Sequence, residues 1–188
     1  MADLTPSQTV GPFFFDGLLS TQQNVLVEPG MPGDSIRVEG RVLDGSGDSV
    51  DDAMVEIWQA NAQGRYRHPT DSWGPDPDAG FVGFGRAGTD ESGHYWFETI
   101  KPGSVPAEDG GLQAPHLNVH VFARGLLDHL TTRMYFSDEA ANESDPLLMT
   151  VEAGRRPTLI AQRRQGEGIV YVFDIVLQGD GETVFFDA

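Results

Sequence analysis

The feature that most constrains this chain is its punctuation. Short runs rich in β-branched and aromatic residues recur along most of its length. Each is closed by glycine, proline or an Asp/Ser/Asn cluster before it is long enough to make a useful helix. Residues 36–43, Ile-Arg-Val-Glu-Gly-Arg-Val-Leu, set Ile36, Val38 and Val42 on one face and Arg37, Glu39 and Arg41 on the other. That alternation is a half-buried strand. Asp44-Gly45-Ser46-Gly47 is a turn. Residues 53–59 predict a more buried strand. Asp90-Glu91-Ser92-Gly93 turns the chain into the aromatic run 94–100. Strands are also expected over 116–123 and 130–136. Residues 168–178 are apolar at both parities apart from Asp174, which predicts a central strand. Helical signal is thin: two turns over 156–163 and one over 137–141. Segments 14–34 and 61–86 predict long loops, the second carrying Pro69, Gly74, Pro75, Pro77, Gly80, Gly83 and Gly85. Such loops on a strand scaffold commonly carry function or interfaces. The expected fold is all-β, an antiparallel β-sandwich with long loops and one or two short helices. The expected organisation is an arm and loop over 1–35 and one sandwich domain over 36–188.

Composition narrows the function classes. The 188 residues contain no cysteine, which excludes disulfides, thiolate metal sites and thiol nucleophiles. A formal charge of −17 argues against nucleic-acid or anionic-membrane partners, and an anionic substrate would need local cations. Lys101 is the only lysine. No stretch approaches a membrane span, and Met1–Pro6 has neither a basic nor an apolar leader region, so a cytoplasmic location is expected.

The chain carries no phosphate loop, nucleophile elbow, HExxH or EF-hand pattern. Four features remain. Gly64-Arg65-Tyr66-Arg67-His68 places a tyrosine between arginines that would favour a metal-binding phenolate; an ordinary surface tyrosine is the plainer alternative. Ala114-Pro115-His116-Leu117-Asn118-Val119-His120 spaces two histidines at i, i+4. On a strand those positions stand about 13 Å apart, too far to share one ion. Packing or hydrogen-bonded histidines are the alternative there. The arm Thr5-Pro6-Ser7-Gln8-Thr9-Val10-Gly11-Pro12-Phe13-Phe14-Phe15 brings three phenylalanines that need a groove on this chain or on a partner. Arg133 is an isolated charge in a strand-like run, fit for an ion pair or a carboxylate fork.

Taken in order, several segments resemble the intradiol ring-cleavage dioxygenases. They are Thr5–Phe13, Val55-Glu56-Ile57-Trp58-Gln59-Ala60-Asn61, Gly64-Arg65-Tyr66, Thr99-Ile100-Lys101-Pro102-Gly103, Ala114-Pro115-His116, Phe122-Ala123-Arg124-Gly125, Arg133-Met134-Tyr135-Phe136 and the tail Gly181–Phe186. The resemblance implies a sandwich fold and a non-haem Fe(III) held by two tyrosines and two histidines. Matched residue by residue, Tyr66 survives. The second tyrosine position falls on Val105, and the two histidine positions fall on Leu117 and Val119. Sliding the histidine segment by one puts His116 at a ligand position with Asn118 as its mate; neither register gives His-x-His.

The resemblance therefore implies a chain with no metal ligands or catalytic residues of its own. It would be the alpha-type partner of a homologous beta chain that carries the iron. Thr9, Gly11, Pro12 and Phe13 are expected to line the substrate pocket, with Arg133 beside it. The implied reaction inserts both atoms of O₂ into 3,4-dihydroxybenzoate between its hydroxyl-bearing carbons, giving 3-carboxy-cis,cis-muconate. Two other readings stay open. One is a self-sufficient Fe(III) dioxygenase of the catechol type using Tyr66 with His68, His116 or His120. The other is a non-catalytic β-sandwich binding module using Trp58, Trp73 and Trp96 as stacking platforms.

Overall fold

The alternation read along the chain becomes strands in a computed structural model, which describes residues 17–68, 80–107 and 110–187. β1 (Ser35–Leu43), β2 (Met54–Trp58), β3 (Phe84–Gly88), β4 (His94–Ile100), β5 (Val105–Pro106), β6 (Leu112–Gln113), β7 (His116–Phe122), β8 (Leu130–Phe136), β9 (Ile160–Arg164), β10 (Val170–Val172) and β11 (Ile175–Val176) follow in order. Short 3-10 turns occupy Ala140–Ser144, Leu148–Thr150 and Arg156–Leu159. The hydrogen-bonded path is β11-β1-β10-β9-β8-β7-β2-β3, with β4 paired to β1; β5 and β6 form a separate ribbon.

The β4-β1-β10 part and the β8-β7-β2-β3 part are joined through β9 and share one core. Ile36, Val38, Tyr95, Phe97 and Tyr171 come from the first; Val55, Ile57, Leu117, Val119, Val121, Met134 and Phe136 come from the second. This is the expected β-sandwich. Most ladders are antiparallel, and β1–β10, β1–β11 and β8–β9 are parallel.

Four expectations are corrected. The stretch 168–178 is not one strand. Its register against β1 is constant, Val38 facing Tyr171 and Val42 facing Ile175. Side chains replace the ladder in between. The Tyr95 hydroxyl donates to the Phe173 carbonyl at 2.6 Å, and the Asp174 carboxylate accepts from the Arg41 N–H at 2.9 Å. Gly40 is required there, because a Cβ would stand 1.8 Å from the Phe173 oxygen.

The helix expected over 156–163 is a single 3-10 turn followed by β9. Tyr135 and Phe136 capture Ile160 and Ala161 in a parallel ladder, and tertiary pairing overrides the weak local preference. The turn expected over 137–141 forms three residues later, at Ala140–Ser144. The loop expected over 61–86 ends early, because Phe84 opens β3, antiparallel to β2. Glycines at 83, 85 and 88 hide that strand from propensity.

Candidate functional site

The site is built where β2 ends. Gln59 is buried and fastens that end to β4: its amide donates to the Ile100 carbonyl at 2.9 Å, and Thr99 donates to its oxygen at 2.7 Å. Asn61, also buried, then folds the chain back. Its side-chain oxygen accepts from the N–H groups of Gln63 and Arg65, both at 3.0 Å. Its carbonyl accepts from Gly64 and Gly103, both at 2.9 Å. Gly64 has φ of +76°, and a Cβ on it would lie 1.9 Å from the Ser104 oxygen. Only glycine fits.

Lys101 holds the facing segment, its ammonium 3.1 Å from Asp138 and 2.6 Å from Glu139, above the rings of Phe136 and Tyr171. Trp58-Gln59-Ala60-Asn61, Gly64-Arg65-Tyr66 and Lys101-Pro102-Gly103 are thus one construction. Its product is the position of Tyr66, stacked on Trp58 at 5.7 Å between centroids.

β7 supplies the opposite wall. Leu117, Val119 and Val121 point into the core, so His116, Asn118 and His120 share the other face. The Tyr66 hydroxyl lies 3.3 Å from His116 Nε2 and accepts from the Asn118 amide at 3.1 Å. His116 Nδ1 is 2.7 Å from the Ala114 carbonyl. A carbonyl only accepts, so Nδ1 carries the proton, Nε2 is the acceptor and Tyr66 donates to it. Burial, and secondly the Arg133 charge, push the His116 pKa down to about 4, so the ring is neutral near pH 7. Arg133, which pairs with Asn118 across β7 and β8, donates from Nε to Asn118 Oδ1 at 3.2 Å and from a terminal nitrogen to Gln113 at 2.7 Å. Behind the site, fully buried Asp145 accepts from the Ala114 N–H and the Tyr135 hydroxyl, both at 2.8 Å. Asp145 thus holds the N–H of the residue whose carbonyl meets His116.

The placement separates the two registers weighed for the histidine segment. Leu117 and Val119 face the core and do not approach Tyr66; His116 and Asn118 do. Val105 is buried and pairs with Gln113 on the same border. His68 is exposed in the loop after Tyr66. His120 turns to Thr131 and the His129 ring instead. Trp58 lies against Tyr66, and Trp96 under the Arg37 guanidinium. Thr9, Gly11, Pro12, Phe13 and Trp73 lie outside the described residues.

Asn61, Gln113 and Asp145 are not singled out as site residues by the sequence, and Asn118 enters there only as the mate of His116 in the second register. For Asn118 the signal was present, since polar and apolar residues alternate strictly from His116 to Val121. For Asp145 the sequence signals only a local turn, in which its carboxylate accepts from the Leu147 and Leu148 N–H groups; its partners at the site are 31 and 10 residues away.

The donor set does not suit a resident iron. Tyr66 and His116 supply one oxygen and one nitrogen, Val105 supplies nothing, and the third position is an amide bonded to a guanidinium. Among the described residues no group of three or more His, Cys, Asp or Glu is placed to hold a metal. No helix there is long and apolar enough to cross a membrane.

The fold and this tyrosine–histidine cluster agree with the comparisons. The family model described as "Dioxygenase" matches residues 9–179. The dioxygenase domain of a carbohydrate-binding fusion protein from Streptomyces sp. SirexAA-E shares the fold, with TM-score 0.64, 27% identity, and coverage of 94% of this chain and 99% of that one. The chain belongs to the intradiol ring-cleavage dioxygenase family.

Within that family it is 43% identical to the protocatechuate 3,4-dioxygenase alpha chain of Burkholderia cepacia, over 97% of this chain and 96% of that one. The beta chain from the same organism is 38% identical, over 84% of this chain and 70% of that one.

Proposed function

We infer that this chain is the non-metal alpha subunit of a protocatechuate 3,4-dioxygenase, with the iron held by a homologous beta chain. Two facts support the reading together. Near end-to-end similarity to an alpha chain sets the family position. The observation that carries it is the amide of Asn118, fixed between Tyr66 and Arg133 where a third metal donor would have to stand.

In this reading the reaction is O₂-dependent cleavage of 3,4-dihydroxybenzoate between its hydroxyl-bearing carbons. Both oxygen atoms enter the product, 3-carboxy-cis,cis-muconate, and no external reductant is consumed. This chain contributes pocket wall and assembly surface. Thr9, Gly11, Pro12 and Phe13 are proposed to border a flat slot on the partner, where small, donor-poor residues suit an aromatic ring. Arg133 is read differently from the sequence expectation. Its Nε and one terminal nitrogen are spent on Asn118 and Gln113, so its charge serves this chain's own cluster first. The assembly is proposed to work in the cytoplasm.

The test is metal analysis with a visible spectrum, on this chain alone and on the chain co-expressed with a beta chain carrying His-x-His. A colourless, iron-free single chain and a red, active pair are expected. A red, active single chain would overturn the reading. Deleting residues 1–13 should lower kcat/KM of the pair while its iron content stays constant; unchanged kinetics would remove the arm from the pocket.

A further inference from the structure

Two edges of the Tyr66 cluster have the lengths of edges in a coordination sphere. Two donors each about 2.1 Å from one ion stand about 3.0–3.5 Å apart in octahedral or tetrahedral geometry. The Tyr66 hydroxyl is 3.3 Å from His116 Nε2 and 3.1 Å from Asn118 Nδ2. His116 is held as metal-binding histidines are held, its other ring nitrogen bonded to the backbone carbonyl of Ala114, a residue whose own N–H is held by Asp145. The loop that delivers Tyr66 is set by close backbone packing of Gly64 on Ser104 and needs no ion.

What differs is the third corner. Arg133 Nε can only donate, so it selects the oxygen of Asn118. The amide nitrogen is then turned toward Tyr66, and toward the Trp58 carbonyl at 3.3 Å. The N–H end of the amide faces the place an ion would take, with a guanidinium charge one side chain behind it. Rotating the amide to offer its oxygen would break the Arg133 bond and oppose N–H to N–H.

We propose that Tyr66, His116 and position 118 form an intact coordination frame for a transition-metal ion, closed against metal by the Asn118 amide and Arg133 rather than by any change of backbone. The inference concerns this chain's own residues and holds whether or not the chain partners a beta chain.

The full-length Asn118→His/Arg133→Met chain, dialysed against Co(II) or Fe(III), decides it. About one ion per chain is expected. With Fe(III) a visible tyrosinate band should appear and vanish on adding Tyr66→Phe. The native chain, and a Val119→His/Arg133→Met chain whose new imidazole faces the core, should bind none. A double variant with native far-UV circular dichroism and no metal overturns the proposal, as does equal uptake by the Val119→His control. If the double variant does not fold, Arg133→Met alone is titrated with Cu(II). Binding at least about tenfold tighter than native, and lost with Tyr66→Phe, supports the proposal; unchanged binding overturns it.

Discussion

β7 presents two surfaces one residue apart. On one, Leu117, Val119 and Val121 are buried in one hydrophobic cluster with Val38, Phe97, Met134 and Phe136. On the other, His116 and Asn118 meet a tyrosine, an arginine and two backbone carbonyls. The first surface is non-directional: it tolerates any filling of the right volume. The second is a chain of donors matched to acceptors, in which each proton direction follows from the next. The pleat joins them, so the polar groups on one face can change while the core on the other stays intact.

Substitutions that separate the two faces should differ in kind. The largest effect belongs to the core. Leu117→Ala should cost about 2–5 kcal/mol by denaturant unfolding and leave metal behaviour untouched. A cost below about 1 kcal/mol would mean that Leu117 is not packed as described.

Next is a pH effect confined to the polar face. The folded-state pKa of His116 is depressed to about 4 from an ordinary 6.5. Above about pH 6.5 the ring is neutral in both states and contributes nothing pH-dependent. As pH falls from 6.5 toward 4 the unfolded chain takes up the proton first, so stability is lost across that window. The loss is about 3 kcal/mol, and a His116→Gln chain should show a correspondingly flatter profile. Equal slopes would place His116 in solvent.

Asn118→Ala strips a donor from Tyr66 and an acceptor from Arg133, for about 1–3 kcal/mol. Tyr66→Phe is the mildest, about 1 kcal/mol, because its stacking on Trp58 is retained. If Tyr66→Phe proved costlier than Leu117→Ala, the division of labour between the two faces would be reversed.

Much of this was legible along the chain. β1, β4 and β7 follow the alternation of their residues almost to the ends, because a strand with one buried face writes its period into its own side chains. That Val105 cannot donate to a metal is a matter of its identity. β3 was hidden because glycines carry no propensity, and β9 because its parallel partner lies 25 residues upstream.

The sequence by itself determined most of the sandwich strands, the absence of a donor at Val105 and which residues of β7 share a face, since period-2 geometry is local. Only the tertiary structure decided what that face meets. Tyr66 is 50 residues from His116, Asp145 is 31 from Ala114, and Arg133 is 15 from Asn118. Hydrogen bonds of about three ångströms between such distant residues depend on how the strands are stacked and in which register. No local pattern carries that information.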